Sequence, residues 1–122
     1  LSVETRWFAP HTAYTMAKFN MSLCVLGMAG EFKGLGIGVN ALWPRTTIAT
    51  AAVRMLGGQP MCDASRSPEI MADAAHLILT RPASECSGNF FVDEDLLRSN
   101  GVQDFEKYAM TPGTPLTPDF FV

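Results

Sequence analysis

Positive charge is scarce and scattered in this 122-residue chain: nine Lys and Arg stand against twelve Asp and Glu, for a net charge of −3. A nucleic-acid surface needs clustered basic residues, so that class of partner is not expected. Long apolar runs are lacking as well. The longest candidate, residues 21–29, is broken by Ser22 and Gly27 and then meets Glu31 and Lys33, well short of the roughly 18 residues of a membrane span. Cysteine is limited to Cys24, Cys62 and Cys86, far apart and odd in number, which suits a reduced compartment better than a disulfide framework. With only His11 and His76 as imidazole ligands, no metal site is expected, and the thiols are read as packing residues. No signal-peptide pattern opens the chain, and Asp119-Phe120-Phe121-Val122 is not the peroxisomal tripeptide. Cytoplasm is therefore the expected compartment, with peroxisome or mitochondrion the alternatives in a eukaryote.

What is present, an apolar fraction of 48%, is enough for one modest domain. Thr12 as N-cap and Gly34 and Gly36 as stops predict a first helix from residue 12 to about residue 33. It carries apolar residues on more than one face (Met16, Phe19, Met21, Leu23, Val25, Leu26, Met28). A surface helix shows a single stripe, so this one is expected to be covered on two sides, by a sheet and by something else such as a second subunit. Gly27 and Gly30 would permit close approach there, and ordinary burial inside one domain is an equal alternative. Residues 37–42, between Gly36 and Pro44, read as a strand buried on both faces. A short helix is expected over 47–56, closed by Gly57-Gly58. Another begins with Ser67 as cap, Pro68 first and Glu69 in its first turn, and runs to about Thr80. Residues 89–92 read as a second strand, and 94–99 as a helix ended by Asn100-Gly101. The tail, with Pro112, Pro115 and Pro118, should be extended, yet Phe105, Tyr108, Phe120 and Phe121 make it a poor free linker. The alternation is α/β, without internal repeats, and two strands do not complete a doubly wound sheet, so the chain reads as the second half of one.

The most informative residues are Tyr14 and Lys18. Four apart on a helix, they share a face. Free tyrosine has a pKa near 10, too high for easy proton exchange at neutral pH, and a neighbouring ammonium favours the phenolate. The pair alone is weak, since average composition would produce one in about one chain in five. On the pair alone, an amphipathic helix with an exposed lysine is the better explanation.

Context strengthens the reading. Tyr14 and Lys18 are followed by Val39-Asn40 and Pro44, then by Ile48 and Thr50. In this order they resemble the second half of the short-chain dehydrogenase/reductase family, where a Tyr-x-x-x-Lys helix precedes a strand of the form Val-Asn-x-Val-x-Pro-Gly and then Ile-x-Thr. Gly88-Asn89-Phe90-Phe91-Val92-Asp93 resembles the family's last strand. A narrower resemblance, to one group within the family, covers nearly the whole chain through residues 13–18, 39–44, 55–58 and 112–121.

The resemblance implies a Rossmann-type, three-layer αβα fold whose parallel sheet is incomplete here. Residues 1–122 would be the C-terminal half of a single domain, with a Pro-rich tail from about 108 to 122. It implies that Tyr14 exchanges a proton with the substrate oxygen while hydride moves to or from a nicotinamide. Lys18 would assist and hydrogen-bond the nicotinamide ribose. Pro44, Thr46, Ile48 and Thr50 would line the nicotinamide pocket, the Thr50 hydroxyl holding the carboxamide, with Thr46 or Thr47 sharing that work. The cofactor is NADP or NAD, NADP being favoured, and the determinant lies outside this chain, as do the phosphate-binding turn and the catalytic Asn. The catalytic Ser is expected at or beyond Leu1. Ser2 stands near the right distance, but capping or surface polarity is the preferred reading for it.

One residue departs from the pattern: Arg45 replaces the glycine after Pro44, and one extra residue follows. Arg45 is read as facing solvent, or else an anionic part of cofactor or substrate. The apolar residues Trp43, Ile48, Met55 and Leu56 suit a small hydrophobic carbonyl or alcohol, although a packed core would also explain them. The expected function is NAD(P)-dependent oxidoreduction, in a homodimer or homotetramer joined through the 12–33 helix. The alternative is a non-catalytic nucleotide-binding or assembly module on a degenerate dehydrogenase fold.

Overall fold

A computed structural model describes residues 3–121; Ser2 lies outside the described residues. In chain order the elements are α1 (Thr5–Phe8), α2 (Thr12–Glu31), a 3-10 turn (Lys33–Leu35), β1 (Ala41–Trp43), α3 (Ala51–Asp63), α4 (Glu69–Leu79), β2 (Phe90–Val92), α5 (Asp93–Ser99) and a second 3-10 turn (Glu106–Tyr108). β1 and β2 pair as a small parallel sheet, so the fold is α/β as expected. No helix among the described residues is long and apolar enough to cross a membrane. Two compact units are formed. The first holds α1, α2, the chain through Ala41, Arg81–Phe90 and Phe121; the second holds Leu42–Thr80 and Phe91–Phe120.

In the first unit, α2 begins where expected, but Thr12 is not its cap. His11 occupies the cap position without a side-chain cap bond, and the Thr12 hydroxyl donates to the Phe8 carbonyl at 2.8 Å. The short helix α1, which the sequence did not announce, brings that carbonyl within reach. Phe8 packs edge-on against Phe19, which meets Phe121, which in turn meets Trp7. Beyond this aromatic cluster α2 is inverted. Its buried residues are Thr15 and Ser22, whereas Met16, Met21, Leu23, Leu26 and Met28 are exposed. The cover expected for both faces is not supplied by the described residues, and a Cβ at Gly27 or Gly30 would meet open space.

The strand expected over 37–42 is shorter and later, Ala41–Trp43. Residues ahead of it are tied by side-chain bonds in addition to the Val39 carbonyl, which accepts Gly88 N–H at 2.7 Å. Val39 N–H donates to Ser87 Oγ at 3.1 Å, and Asn40 Nδ2 donates to the Cys86 carbonyl at 2.9 Å. Asn40 Oδ1 also accepts from the Asn89 backbone and side chain, so one amide sets the start of both strands. At Gly38 a Cβ would lie 2.8 Å from the Cys86 carbonyl oxygen, which requires glycine there.

The second unit is cored by Ile70 and Ala74 of α4, Leu96 and Leu97 of α5, and Tyr108. Ile70 and Ala74 are four apart and therefore share a face of α4. α4 starts at Glu69 with Pro68 in the cap position and no side-chain cap bond, and Ser67 instead helps hold the Glu69 carboxyl below its usual range. The helix expected over 47–56 is α3, Ala51–Asp63. Residues 46–49 are extended because their backbone is engaged elsewhere: Thr47 N–H meets the Thr117 carbonyl, and Arg66 exchanges bonds with Thr47 and Ala49. Gly58, at φ +67°, kinks α3 where an end was expected. The tail lies against this ribbon, with Thr46 bridged to Pro118 in antiparallel sense.

A largely buried ion pair joins the ribbon to α5. Arg66 Nη1 lies 2.6 Å from Glu94 Oε2, while Arg98 Nη2 holds the other Glu94 oxygen at 2.7 Å. Burial works against ionisation of Glu94, but the Arg98 and Arg66 contacts outweigh it and hold the carboxyl below its usual range. A carboxyl held below its unfolded pKa contributes stability above that pKa and loses it as pH falls through the folded value.

Two outcomes are expected. Because α2 exposes its apolar residues and a lone two-stranded sheet is marginal, residues 1–122 expressed alone should melt without a cooperative calorimetric transition; a sharp transition would contradict this. In protein carrying the whole domain, Glu94→Gln should cost about 2–3 kcal/mol at neutral pH by denaturant titration, since it leaves Arg66 buried and unpaired. That difference should shrink as pH falls below about 4; a pH-independent difference would refute the linkage.

Candidate functional site

The sequence-derived candidates fall on both units. In the first, Tyr14 and Lys18 occupy successive turns of α2. Lys18 Nζ lies over the Tyr14 ring, 5.4 Å from its centroid. The helical spacing therefore produces the predicted juxtaposition of ammonium and phenol. Tyr14 is 47% exposed, on a helix whose neighbouring apolar residues are also exposed, so the phenol can be approached from outside this unit. The contact of Lys18 with Tyr14 is a cation–π interaction between the ammonium and the phenol ring.

In the second unit, Pro44, Thr46, Ile48 and Thr50 lie on the segment between β1 and α3. Thr50 caps α3, its Oγ1 accepting Val53 N–H at 3.3 Å. That use of a lone pair leaves the hydroxyl proton available, and Thr50 is exposed. The other two threonines are less available. Thr46 is 7% exposed with its hydroxyl toward the Thr47 carbonyl, and the Thr47 hydroxyl pairs with Ser65 Oγ at 2.7 Å. Ile48 packs against the core of this unit. The donor set thus suits a flat ring bearing a carboxamide: apolar Pro44 and Ile48, and one outward hydroxyl at Thr50.

Arg45 does not stand free in solvent. Its guanidinium pairs with Asp95 in the first turn of α5. Its N–H donates to Asp93 Oδ1 at 2.8 Å, and its carbonyl accepts Asp119 N–H at 3.2 Å. Asp93 is fully buried, and burial pushes its carboxyl up against the opposing pull of the Arg45 and Glu94 N–H groups and of Arg66. The sequence carried a signal for Asp93, an acid closing the apolar run Phe90-Phe91-Val92, but none for the bond to Arg45. Met55 and Leu56 of α3 are 80% and 77% exposed, so a packed core does not account for them. Among the described residues, no group of three or more His, Cys, Asp or Glu side chains could hold a metal ion.

No family model matches the chain. Curated relatives do. Hydroxysteroid dehydrogenase-like protein 2 of Danio rerio is 55% identical over all 122 residues, and the chain spans 29% of that protein. The proteins of the same name from Rattus norvegicus and Homo sapiens are 55% and 52% identical over the whole chain, which spans 23% and 29% of their lengths. The chain therefore spans less than a third of these relatives. Among solved structures, a Xanthomonas campestris protein assigned as a dehydrogenase matches with a TM-score of 0.91 and 49% identity, over 99% of this chain and 44% of that one. A short-chain dehydrogenase of Mycobacterium thermoresistibile matches with a TM-score of 0.87 and 46% identity, over 100% and 43%. Over its whole length the chain is thus similar to hydroxysteroid dehydrogenase-like protein 2, and it shares its fold with solved short-chain dehydrogenases.

Proposed function

We propose that residues 1–122 are the C-terminal half of a single dehydrogenase domain that interconverts a carbonyl and a secondary alcohol using NADP or NAD, NADP being favoured. The observation that carries this reading is the Lys18 ammonium held over the Tyr14 ring on an exposed helix face. When bound, the nicotinamide supplies or accepts the hydride. Tyr14 gives its proton to the substrate oxygen in reduction and takes it back in oxidation. Lys18 stabilises the resulting charge on the phenol oxygen and holds a ribose hydroxyl. Pro44 and Ile48 bound the ring, the Thr50 hydroxyl donates to the carboxamide, and Thr46, turned inward, contributes through the shape of its segment. The residues that choose between the two dinucleotides lie outside this chain.

The substrate is proposed to be hydrophobic. Met55 and Leu56 support this, because both are exposed directly after the Thr50 cap and fill no core. Each large apolar side chain contributes roughly 1.5–3 kcal/mol when removed from water. The exposed apolar surface of α2, with open space at Gly27 and Gly30, supports a homodimer or homotetramer joined through residues 12–33.

In protein carrying the whole domain, Tyr14→Phe should lower kcat by about 10²–10⁴-fold while leaving dinucleotide affinity within about threefold. Full turnover by this variant would make the catalytic assignment wrong and favour the non-catalytic module. Replacing Met55 and Leu56 together by Ser should raise KM for a long-chain ketone by about tenfold or more and leave KM for a short one unchanged. Equal effects on the two ketones would count against the apolar substrate.

A further inference from the structure

We propose that Asp93 is a positioning residue of this enzyme: by accepting the Arg45 N–H, its carboxylate holds residues 44–50 in the shape that receives the nicotinamide end of the dinucleotide. The inference rests on the dehydrogenase reading above and adds to it a residue far along the chain from the pocket segment. Asp93 is 0% exposed at the junction where β2 becomes α5. Its Oδ1 accepts two backbone donors, Arg45 N–H at 2.8 Å and Glu94 N–H at 2.6 Å. Its Oδ2 has no hydrogen-bond partner among the described residues. A buried carboxylate with an empty oxygen is costly, so this group is poorly explained as a stabiliser of the core. It is well explained as a strong, charged acceptor for one particular peptide, because such bonds are shorter and stronger than neutral ones.

That peptide is the first one after Pro44. The Arg45 N–H goes to Asp93, its carbonyl to Asp119 N–H, and its guanidinium to Asp95, so main chain and side chain are both held. Farther along, Thr47 N–H is held by the Thr117 carbonyl and Ala49 N–H by the Arg66 carbonyl, at 2.9 and 2.8 Å. Inward-facing backbone groups of the segment are thereby engaged at alternate residues, while Thr50 stays exposed at its end. Fixing the segment before the ligand arrives removes an ordering cost from binding. Asp93 supplies the side-chain anchor at the Pro44 end, where Arg45 and one extra residue depart from the family's glycine.

Two substitutions separate this role from a merely structural one. Asn at 93 keeps an acceptor oxygen with the same reach. Ser is shorter: it can still serve the adjacent Glu94 N–H at the start of α5 but cannot extend to Arg45. With protein carrying the whole domain, affinities are measured for NADPH and for 2′-phospho-ADP-ribose, which lacks the nicotinamide, with NADH and ADP-ribose as the parallel pair. Asp93→Ser should weaken NADPH binding by about tenfold or more and change 2′-phospho-ADP-ribose by less than about twofold. Asp93→Asn should bind both as the unsubstituted protein does. An unchanged NADPH affinity in Asp93→Ser would overturn the proposal. So would an equal loss of both ligands or a failure to fold, either of which would assign Asp93 to the fold at large. If the unsubstituted protein binds neither dinucleotide, the dehydrogenase reading itself fails.

Discussion

A single buried carboxylate at the junction of β2 and α5 ties together most of what gives the second unit its form. Asp93 ends the strand, starts the helix by accepting Glu94 N–H, and reaches Arg45 on the segment that leaves β1. With α5 started there, Leu96 and Leu97 face Ile70 and Ala74 of α4, and Glu94 faces Arg66. Its reach to Arg45 therefore bears on the candidate pocket segment, while its bond to Glu94 N–H bears on the start of α5. The arrangement has a cost, since both Asp93 Oδ2 and Arg66 Nε are buried without hydrogen bonds among the described residues. Opposite effects act on adjacent carboxyls: burial pushes Asp93 up, while the Arg98 and Arg66 contacts hold Glu94 down.

The first unit is governed by a different constraint, a twenty-residue helix that buries its hydroxyls and exposes its methionines and leucines. Thr15 can be buried because its hydroxyl donates to the Trp7 carbonyl. The exposed apolar residues have no such internal solution, and water is a poor solvent for them. The same helix carries Tyr14 and Lys18, so the element that needs cover is also the one that offers the proposed chemistry. Helical geometry brings ammonium and phenol together with no help from distant residues, which explains why this part of the candidate site is readable from five consecutive residues.

Much of the fold was legible because local signals and tertiary outcome agree. Gly101, at φ +92°, ends α5 as its position implied, and α4 runs over the stretch opened by Pro68 and Glu69. Two of the failures share one cause, backbone groups taken by partners distant in sequence. The local pattern places Thr47 and Ile48 in a helix, yet their backbone is engaged by Thr117 and Arg66, and the β-branched run accepts an extended form. Residues 37–40 looked like a ladder strand but are tied by Asn40 and Ser87. In the candidate site, the pairing of Tyr14 with Lys18 was legible, whereas the inward turn of Thr46, the Asp95 partner of Arg45 and the anchoring by Asp93 depend on contacts tens of residues apart. No periodicity encodes those.

The central claim is that this chain carries the proton-exchanging half of a hydride-transfer site. The most direct measurement follows isotope in protein carrying the whole domain, supplied with reduced dinucleotide deuterated at the nicotinamide C4 and a hydrophobic ketone. Mass spectrometry of the alcohol should find one deuterium on the carbinol carbon, and none above background when Lys18 and Tyr14 are both replaced. Alcohol formed without deuterium from either C4 position, or labelled equally by the doubly substituted protein, would contradict the account.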